Sequence, residues 1–417
     1  MGVACGSQVA ICDVPIRLDT YSGCSHGCKY CFAKRGKDIT KVDSDNCIEA
    51  LKRFIGGKRT KDTNWCDWDI PLHWGGMSDP FQPAERNAKV SLRALRVLEE
   101  SQYPFIVSTK GSLVSEEPYI SLLKQCNVVV QVSMVSPKFD LLEPGAPTFE
   151  ERMSMLPKLA GSCKRLVVRC QPYMTDCLTD VLSAIPRYAE YGVYGIILEG
   201  FKSFKPFKGS VRVGNDYTYG KEVLKSHFSK IRRACHEAGL TFLCGENRLR
   251  AMGDSLTCCG CSGVDGFQAN EFNLSHIANG DEADPVKVMK EVGTACVFSS
   301  MFQEAGIRRW LEKLSFEGAM RSERTLKACE VPLGKKDALV PHTEEEVLSF
   351  TTWLKSTGIS GREVNELTGT QMCSHYLCTT KGGQCAVPTP EQFDKLRKSP
   401  KLPKELPGYI RRIVYGK

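Results

Sequence analysis

The 417-residue chain has no long apolar run, and none of its stretches approaches the ~20 residues that a membrane-spanning helix needs. Its first residues, Met1-Gly-Val-Ala-Cys5, lack the charged segment and apolar core of a secretory leader, so a cytoplasmic location is expected. Internal repeats and low-complexity tracts are absent too, which excludes a repeat architecture. These absences change the meaning of what is abundant. The chain has 21 cysteines, and without an export signal they argue against a secreted disulfide scaffold. They fit a reducing compartment, with some thiols as metal ligands and the rest as small buried apolar residues. The net charge of +8 permits a polyanionic partner without demanding one. Hydrophobic and charged fractions of 42% and 25% are those of an ordinary soluble globular protein, and the length suits one large domain plus a smaller one.

The densest cysteine group is Cys24-Ser-His-Gly-Cys28-Lys-Tyr-Cys31, spaced C-x3-C-x2-C and followed by Phe32. Thiolates are preferred ligands of iron–sulfur clusters, and three in one loop hold three irons of a [4Fe–4S] cube while leaving the fourth open. Gly23, Ser25 and Gly27 allow the close backbone approach such a loop requires. Zinc would need a fourth ligand at similar spacing, and no further cysteine follows within fifteen residues. His26 reads as structural rather than catalytic.

Around this loop the pattern alternates. Strands are expected at 15–21, 70–74, 105–109, 127–133, 165–169, 193–199 and 240–244. Helices are expected at 47–54, 87–100, 118–124, 149–159, 178–191 and 224–238. Such alternation implies βα units and a parallel sheet, read as α/β with a partial (β/α)6-7 TIM-type barrel over residues 1–280. A doubly wound open sheet is the competing architecture. In barrels the chemistry gathers at the C-terminal strand ends. Those ends carry the cysteine loop, Gly75-Gly76-Met77-Ser78-Asp79, Ser108 to Lys110, Ser133, Arg169 with Gln171, and Glu199. Glu199 lies on an otherwise apolar strand and needs a partner there, whether in a site or a salt bridge.

A helical extension and linker are expected at 281–335, with Pro332-Leu-Gly-Lys-Lys-Asp as the linker proper, and a helical, basic module at 336–417. From Glu391 the tail holds eight basic residues (Lys395, Arg397, Lys398, Lys401, Lys404, Arg411, Arg412 and Lys417) against Glu391, Asp394 and Glu405.

The C-x3-C-x2-C run at the end of a first strand resembles the radical S-adenosylmethionine superfamily. Three stretches are similar to its spore photoproduct lyase-like branch: Tyr21 to Phe32, Ser78-Asp-Pro-Phe-Gln-Pro-Ala-Glu85, and Leu142-Glu-Pro-Gly-Ala-Pro147 with Glu151-Arg152 after it. The resemblance covers roughly residues 10 to 280. It implies a [4Fe–4S] cluster on Cys24, Cys28 and Cys31 whose open iron takes S-adenosylmethionine, and one-electron cleavage of the sulfonium to a 5′-deoxyadenosyl radical. By the same resemblance Phe32, Gly75, Gly76, Ser78, Asp79, Ser133 and Arg169 bind the cofactor. A flavodoxin- or ferredoxin-type protein supplies the electron.

Cys244, Cys258, Cys259 and Cys261 form a second group, expected to hold another iron–sulfur cluster or a zinc ion, or else to be buried structural thiols. A thiol here, Cys244 among them, would also suit hydrogen-atom donation to a substrate radical, as in photoproduct lyase. Cys373, Cys378 and Cys385 with His375 are a third group, a weaker zinc pattern.

The stretch Leu367-Thr-Gly-Thr-Gln-Met-Cys-Ser-His-Tyr-Leu377, then Pro388 to Leu396, resembles a module that ends many phage and bacterial DNA methyltransferases. Leu377, Cys378 and Cys385 depart from its usual residues. The resemblance implies DNA contact through Thr370, Ser374, His375, Tyr376, Lys395, Arg397, Arg411 and Arg412. The two resemblances together point to phage DNA hypermodification in the host cytoplasm. The expected reaction isomerises an N-linked aminoacyl (glycyl) thymidine to its carbon-linked form, with Glu199 and Cys244 as catalytic candidates. Photoproduct repair is the second enzymatic reading, and a non-catalytic iron–sulfur DNA-binding regulator is a third.

Overall fold

The computed structural model describes residues 2–5, 12–34, 47–58, 70–213, 216–268, 344–359 and 390–416, with positions 363, 367 and 388. They fall into two compact units, one containing the described residues up to 268 and the other those from 344 onward. Among them no helix is long and apolar enough to cross a membrane.

The strands of the first unit are β1 (Gly2–Cys5), β2 (Ile16–Asp19), β3 (Leu72–Trp74), β4 (Phe105–Thr109), β5 (Val128–Ser133), β6 (Arg165–Tyr173), β7 (Gly195–Gly200), β8 (Lys202–Ser203), β9 (Ser210–Val213), β10 (Asp216–Tyr219) and β11 (Thr241–Cys244). Eight form one sheet in the order β1-β2-β3-β4-β5-β6-β7-β11. All neighbours pair in parallel except β1, which runs antiparallel to β2. Each parallel strand joins the edge left by its predecessor. With right-handed crossovers this places the connecting helices on one face. A doubly wound sheet would reverse its order at a switch point, so the competing architecture is excluded. The sheet is the open wall of a barrel, with β1 and β11 at unjoined edges.

The helices are α1 (Cys47–Ile55), α2 (Glu85–Ala88), α3 (Val90–Ser101), α4 (Tyr119–Leu123), α5 (Phe149–Ala160), α6 (Leu178–Glu190) and α7 (Lys221–Glu237). The single helix expected over 87–100 is two. Lys89 at φ 50° breaks it, and the buried Glu85 carboxylate accepts the N–H groups of Ser91 and Leu92 at the start of α3. Two features absent from the sequence reading are β1 and the small sheet β8-β10-β9 inserted after β7.

Alternation along the strands sorts their side chains. Phe242 of β11 stacks edge-on against Phe228 of α7, on the helical face. On the other face Ile106, Val129, Val167, Ile197 and Leu243 form an apolar layer closed by Cys259, Cys261 and Val264. The loop carrying these cysteines is bolted to the sheet, since Gln131 Nε2 donates to Cys259 O at 2.9 Å and Arg165 donates to the carbonyls of Gly260 and Ser262. Two residues further along the same strands, this face turns polar.

The second unit contains α8 (Glu344–Ser356), α9 (Pro390–Leu396) and α10 (Gly408–Tyr415). Its core includes Phe350, Trp353, Leu354, Phe393, Leu396, Ile410 and Ile413. The linker at 332–337, the third cysteine group, and Thr370, Ser374, His375 and Tyr376 lie outside the described residues.

Candidate functional site

The cysteine loop leaves the C-terminal end of β2, and two sequence motifs hold it. From the first, Gln82 accepts the backbone N–H of Ser25 through Oε1 at 2.7 Å and donates from Nε2 to Gly23 O at 3.0 Å. Asp79 Oδ2 lies 3.1 Å from His26 Nε2 and accepts the N–H of Lys110, while Oδ1 accepts Phe81 N–H and the Thr109 hydroxyl. Burial pushes the Asp79 carboxyl up, but the His26 imidazole and the hydrogen bonds from His26, Thr109 and Lys110 outweigh it and hold the pKa at about 2. Ser78 donates to Tyr21 O. Glu85 is fully buried and accepts both the Tyr21 and Tyr119 hydroxyls.

The second motif closes the loop from the other side. Lys29 N–H donates to Leu142 O, Gly145 N–H to His26 O, and His26 Nδ1 lies 2.8 Å from Gly145 O. A Cβ at Gly145 would meet Ser25 O at 2.6 Å and His26 O at 2.9 Å, so only glycine fits this approach. Glu143 accepts the Tyr30 hydroxyl and pairs with Arg152 NH2 at 2.6 Å. Arg152 NH1 donates to Ser133 O, which anchors the assembly to the end of β5.

The three thiols of the clamped loop fit an iron–sulfur cluster. Each is partly exposed, and Cys28 interacts electrostatically with both of the others. Burial pushes the free Cys24 thiol up to about 12, with Asp79 adding to it, so the loop as it stands favours a protonated thiol, whose proton a metal must displace. Lys110, at the end of β4, lies near Cys28 and lowers its thiol against the effect of burial. Among the described residues no three His, Cys, Asp or Glu side chains are already gathered at metal-binding distance, in this loop or elsewhere.

Gly75 and Gly76 turn the chain at the end of β3. Gly75 has φ +95°, and a Cβ there would meet Ser108 O at 2.3 Å. Phe32 is 59% exposed beside the cysteines, free to cover a ligand. Ser78 and Asp79 are buried, and the contacts described above turn their side chains to the loop rather than outward. Ser133 is buried at the end of β5.

Below the rim runs a polar belt across five strands. His73 meets Ser108 Oγ at 2.9 Å, Ser108 donates to Gln131 Oε1 at 2.7 Å, and Arg169 NH1 donates to the same oxygen at 3.0 Å. Arg169 Nε donates to Gln171 Oε1, Gln171 Nε2 to Glu199 Oε2, and Lys202 Nζ to Glu199 Oε1. The single Ser108 proton goes to Gln131, so the His73 donor is Nε2–H. Burial, then Arg169, depresses His73 to about 3, which keeps it neutral. Glu199 is raised by burial, but Lys202 and Arg169 more than compensate, so it stays a carboxylate. Glu199 thus has the partner that a charge on an apolar strand requires, in Lys202. Of the belt, Ser108, Arg169, Gln171 and Glu199 stood among the strand-end residues read from the sequence. His73, Gln131 and Lys202 did not, although each is a polar residue on or beside an apolar strand.

Among the described residues the second cysteine group is not gathered into a metal-ligand set, although Cys258 interacts electrostatically with Cys244, Cys259 and Cys261. Cys244 is fully buried, its thiol 3.6 Å from Glu246 O. Cys261 is buried in the apolar layer. The Sγ atoms of Cys258 and Cys259 stand 4.0 Å apart. Cys258 is the thiol held low, by the hydrogen bond from Cys259 and by Arg250, with burial opposing.

Residues 18–173, from within β2 to the end of β6, match the model of the Radical SAM superfamily. Uncharacterized proteins of Mycobacterium bovis and Mycobacterium tuberculosis are 24% identical over 209 residues, which is 47% of this chain and 60% of theirs. The match thus spans less than two thirds of these relatives' length. Solved structures similar to this chain include a spore photoproduct lyase variant with bound AdoMet and dinucleoside spore photoproduct. It is 15% identical with a TM-score of 0.44, covering 55% of this chain and 76% of that one. Streptococcus suis SuiB bound to S-adenosylmethionine is 11% identical with a TM-score of 0.38, covering 56% and 51%.

Proposed function

We propose that the protein is a radical S-adenosylmethionine enzyme acting on a thymidine in DNA that already carries an amino acid. The observation that carries the enzyme class is the loop itself, three thiols presented at the C-terminal end of β2 and clamped from both sides by Gln82, Asp79 and the Glu143–Gly145 turn. Cys24, Cys28 and Cys31 would hold the cluster. With a [4Fe–4S] cluster and S-adenosylmethionine bound, the site supplies one-electron cleavage of the sulfonium to methionine and a 5′-deoxyadenosyl radical. The clamp fixes the loop backbone, and the Gly75 turn packs closely against Ser108 O at the end of β4. The belt offers one guanidinium, Arg169, and one carboxylate, Glu199, a pairing that complements a zwitterionic amino-acid group.

The nucleic-acid part rests on the second unit. Lys395, Arg397, Lys398, Lys401, Lys404, Arg411 and Arg412 are all exposed around its apolar core. Tyr409, Arg411, Arg412 and Tyr415, with Pro390 and Gly408, line a groove of about 960 Å³. Exposed cations tracking a backbone, with aromatics among them, suit DNA. The reaction is an isomerisation. With the base extruded from the stack, a hydrogen leaves the amino-acid α-carbon, the thymine methylene moves from nitrogen to that carbon, and a hydrogen returns to the nitrogen. The electron comes from a flavodoxin- or ferredoxin-type donor.

The test uses the full chain, reconstituted anaerobically, reduced with dithionite and given S-adenosylmethionine. The expected result is cluster iron and release of 5′-deoxyadenosine, both lost in Cys28→Ala. With aminoacylated DNA a mass-neutral product is expected. Turnover of irradiated DNA instead would transfer the function to photoproduct reversal. An absence of 5′-deoxyadenosine with every substrate would leave an iron–sulfur DNA-binding regulator.

A further inference from the structure

We propose that Cys258 and Cys259 form a redox-active vicinal dithiol, reversibly oxidised by low-molecular-weight disulfides, that is coupled through Gln131 to the polar belt. The pair is built asymmetrically. Cys258 is partly exposed while Cys259 is 3% exposed, and their sulfurs stand 4.0 Å apart. That is contact distance, and side-chain rotation together with a turn of the peptide between them closes it to the ~2.0 Å of a bond. A cation attends them: Arg250 is 9% exposed and interacts electrostatically with Cys258, Asp13, Cys12 and Cys259, and at Cys258 it acts against the Asp13 carboxylate. Its NH1 and NH2 donate to Leu256 O and Asn247 Oδ1, while its Nε is buried without a hydrogen-bond partner among the described residues. A guanidinium so placed stabilises the attacking thiolate.

The chemistry balances. The Cys258 thiolate attacks one sulfur of the small disulfide and expels the first small thiolate, forming a mixed disulfide. Cys259 gives its proton to that thiolate and attacks the Cys258 sulfur, expelling the second small thiolate, which takes up a proton from solvent. The two cysteines lose two electrons, and the external disulfide is reduced to two thiols. Adjacent Cα atoms are ~3.8 Å apart across a trans peptide, shorter than the ~4.4–6.8 Å of ordinary disulfides. The bond is therefore strained and easily reduced, a switch rather than a staple.

The consequence reaches the belt through one atom. Cys259 O accepts from Gln131 Nε2, and Gln131 Oε1 receives Ser108 and Arg169. Closing the ring forces the 258–259 backbone to turn, and Gln131 loses its anchor. The neighbouring contacts hold the rest of the loop, because Arg165 grips the carbonyls on either side of Cys261.

The full chain with its reconstituted cluster is equilibrated anaerobically in glutathione buffers of increasing oxidised fraction, quenched with an alkylating reagent and digested with trypsin. Cys258 and Cys259 fall in the peptide spanning residues 251–287. Expected is the loss of two hydrogens from this peptide, localised to Cys258 and Cys259, and full recovery with dithiothreitol. Cys259→Ser is expected to stop at the glutathione mixed disulfide on Cys258. In the oxidised wild type, amide exchange over residues 128–133 is expected to rise by up to about tenfold, the loss of one buried hydrogen bond. The proposal is overturned if both thiols stay alkylatable throughout, if Cys258 pairs with Cys12 or Cys261 instead, or if it holds glutathione that Cys259 never displaces. Unchanged exchange over 128–133 in the oxidised chain overturns the coupling to the belt.

Discussion

His73 is an imidazole kept neutral at the head of the belt. Burial and the nearby Arg169 cation depress it to about 3, against an ordinary value of 6.5. Because the folded value lies below the unfolded one, the unfolded chain takes up the proton first as pH falls. Stability tied to this group is therefore full above ~6.5 and is lost on acidification towards ~3, at up to about 1.4 kcal/mol per pH unit. His73→Gln keeps an N–H donor for Ser108 without a titrating ring. Urea unfolding between pH 7 and pH 4.5, done on both proteins, is expected to show a shallower loss of stability in the variant. Equal slopes would mean that His73 titrates alike in the folded and unfolded chains and is not held neutral by the fold. The sequence made part of this belt legible. Arg169 and Glu199 stand out because a charge on an apolar strand demands a partner. The partners do not stand out, because His73 reaches Ser108 over 35 residues and Gln131 reaches Arg169 over 38. Strand register sets those neighbours, and no local pattern encodes it.

At the scale of elements, the odd stretches after β3 and β5 acquire a shared purpose. Both leave the C-terminal rim and return to the cysteine loop, the first through Gln82 and Asp79, the second through Glu143 and Gly145. The second hangs on Arg152 of α5, a helix begun by the Thr148–Glu151 capping box. Arg152 and Glu143 are 1% and 2% exposed, so removing one partner strands a buried charge at about 3–5 kcal/mol. Arg152→Met is expected to lower the urea midpoint by that order and to reduce the iron retained after reconstitution. Arg152→Lys is expected to restore little, since one ammonium does not replace the separate NH1 and NH2 contacts to Ser133 O and Glu143. Full iron retention in a destabilised Arg152→Met would show that the loop holds its shape without this pair. The alternation that gave the strands and helices was strong because β4 and β5 are buried along their whole length. β1 and the β8–β10 sheet escaped it. β8 is two residues long, and β9 and β10 are largely exposed or half-buried, so neither period stands out.

At the scale of the whole molecule, the proposed chemistry and the proposed substrate contact lie in different compact units, and they can be separated by experiment. Arg411 and Arg412 are exposed on α10 and line its groove, outside the apolar core of their own unit. Reversing both in the full chain, Arg411→Glu with Arg412→Glu, leaves the packing of Ile410, Ile413 and Val414 in place. If these arginines neutralise DNA phosphates, each contact releases counterions and contributes about 0.7–0.9 to the slope of log affinity against log salt. The double variant is expected to bind a DNA oligonucleotide at least about tenfold more weakly at low salt, with a slope shallower by about 1.5. Iron content and the release of 5′-deoxyadenosine without DNA are expected to match the unaltered protein, because the contacts described for the cysteine loop lie within the first unit. Weaker binding with an unchanged slope would point to the aromatic side chains of the groove instead of its charges. Unchanged affinity and slope together would remove the second unit from DNA recognition and leave the belt side of the sheet as the surface that selects the substrate.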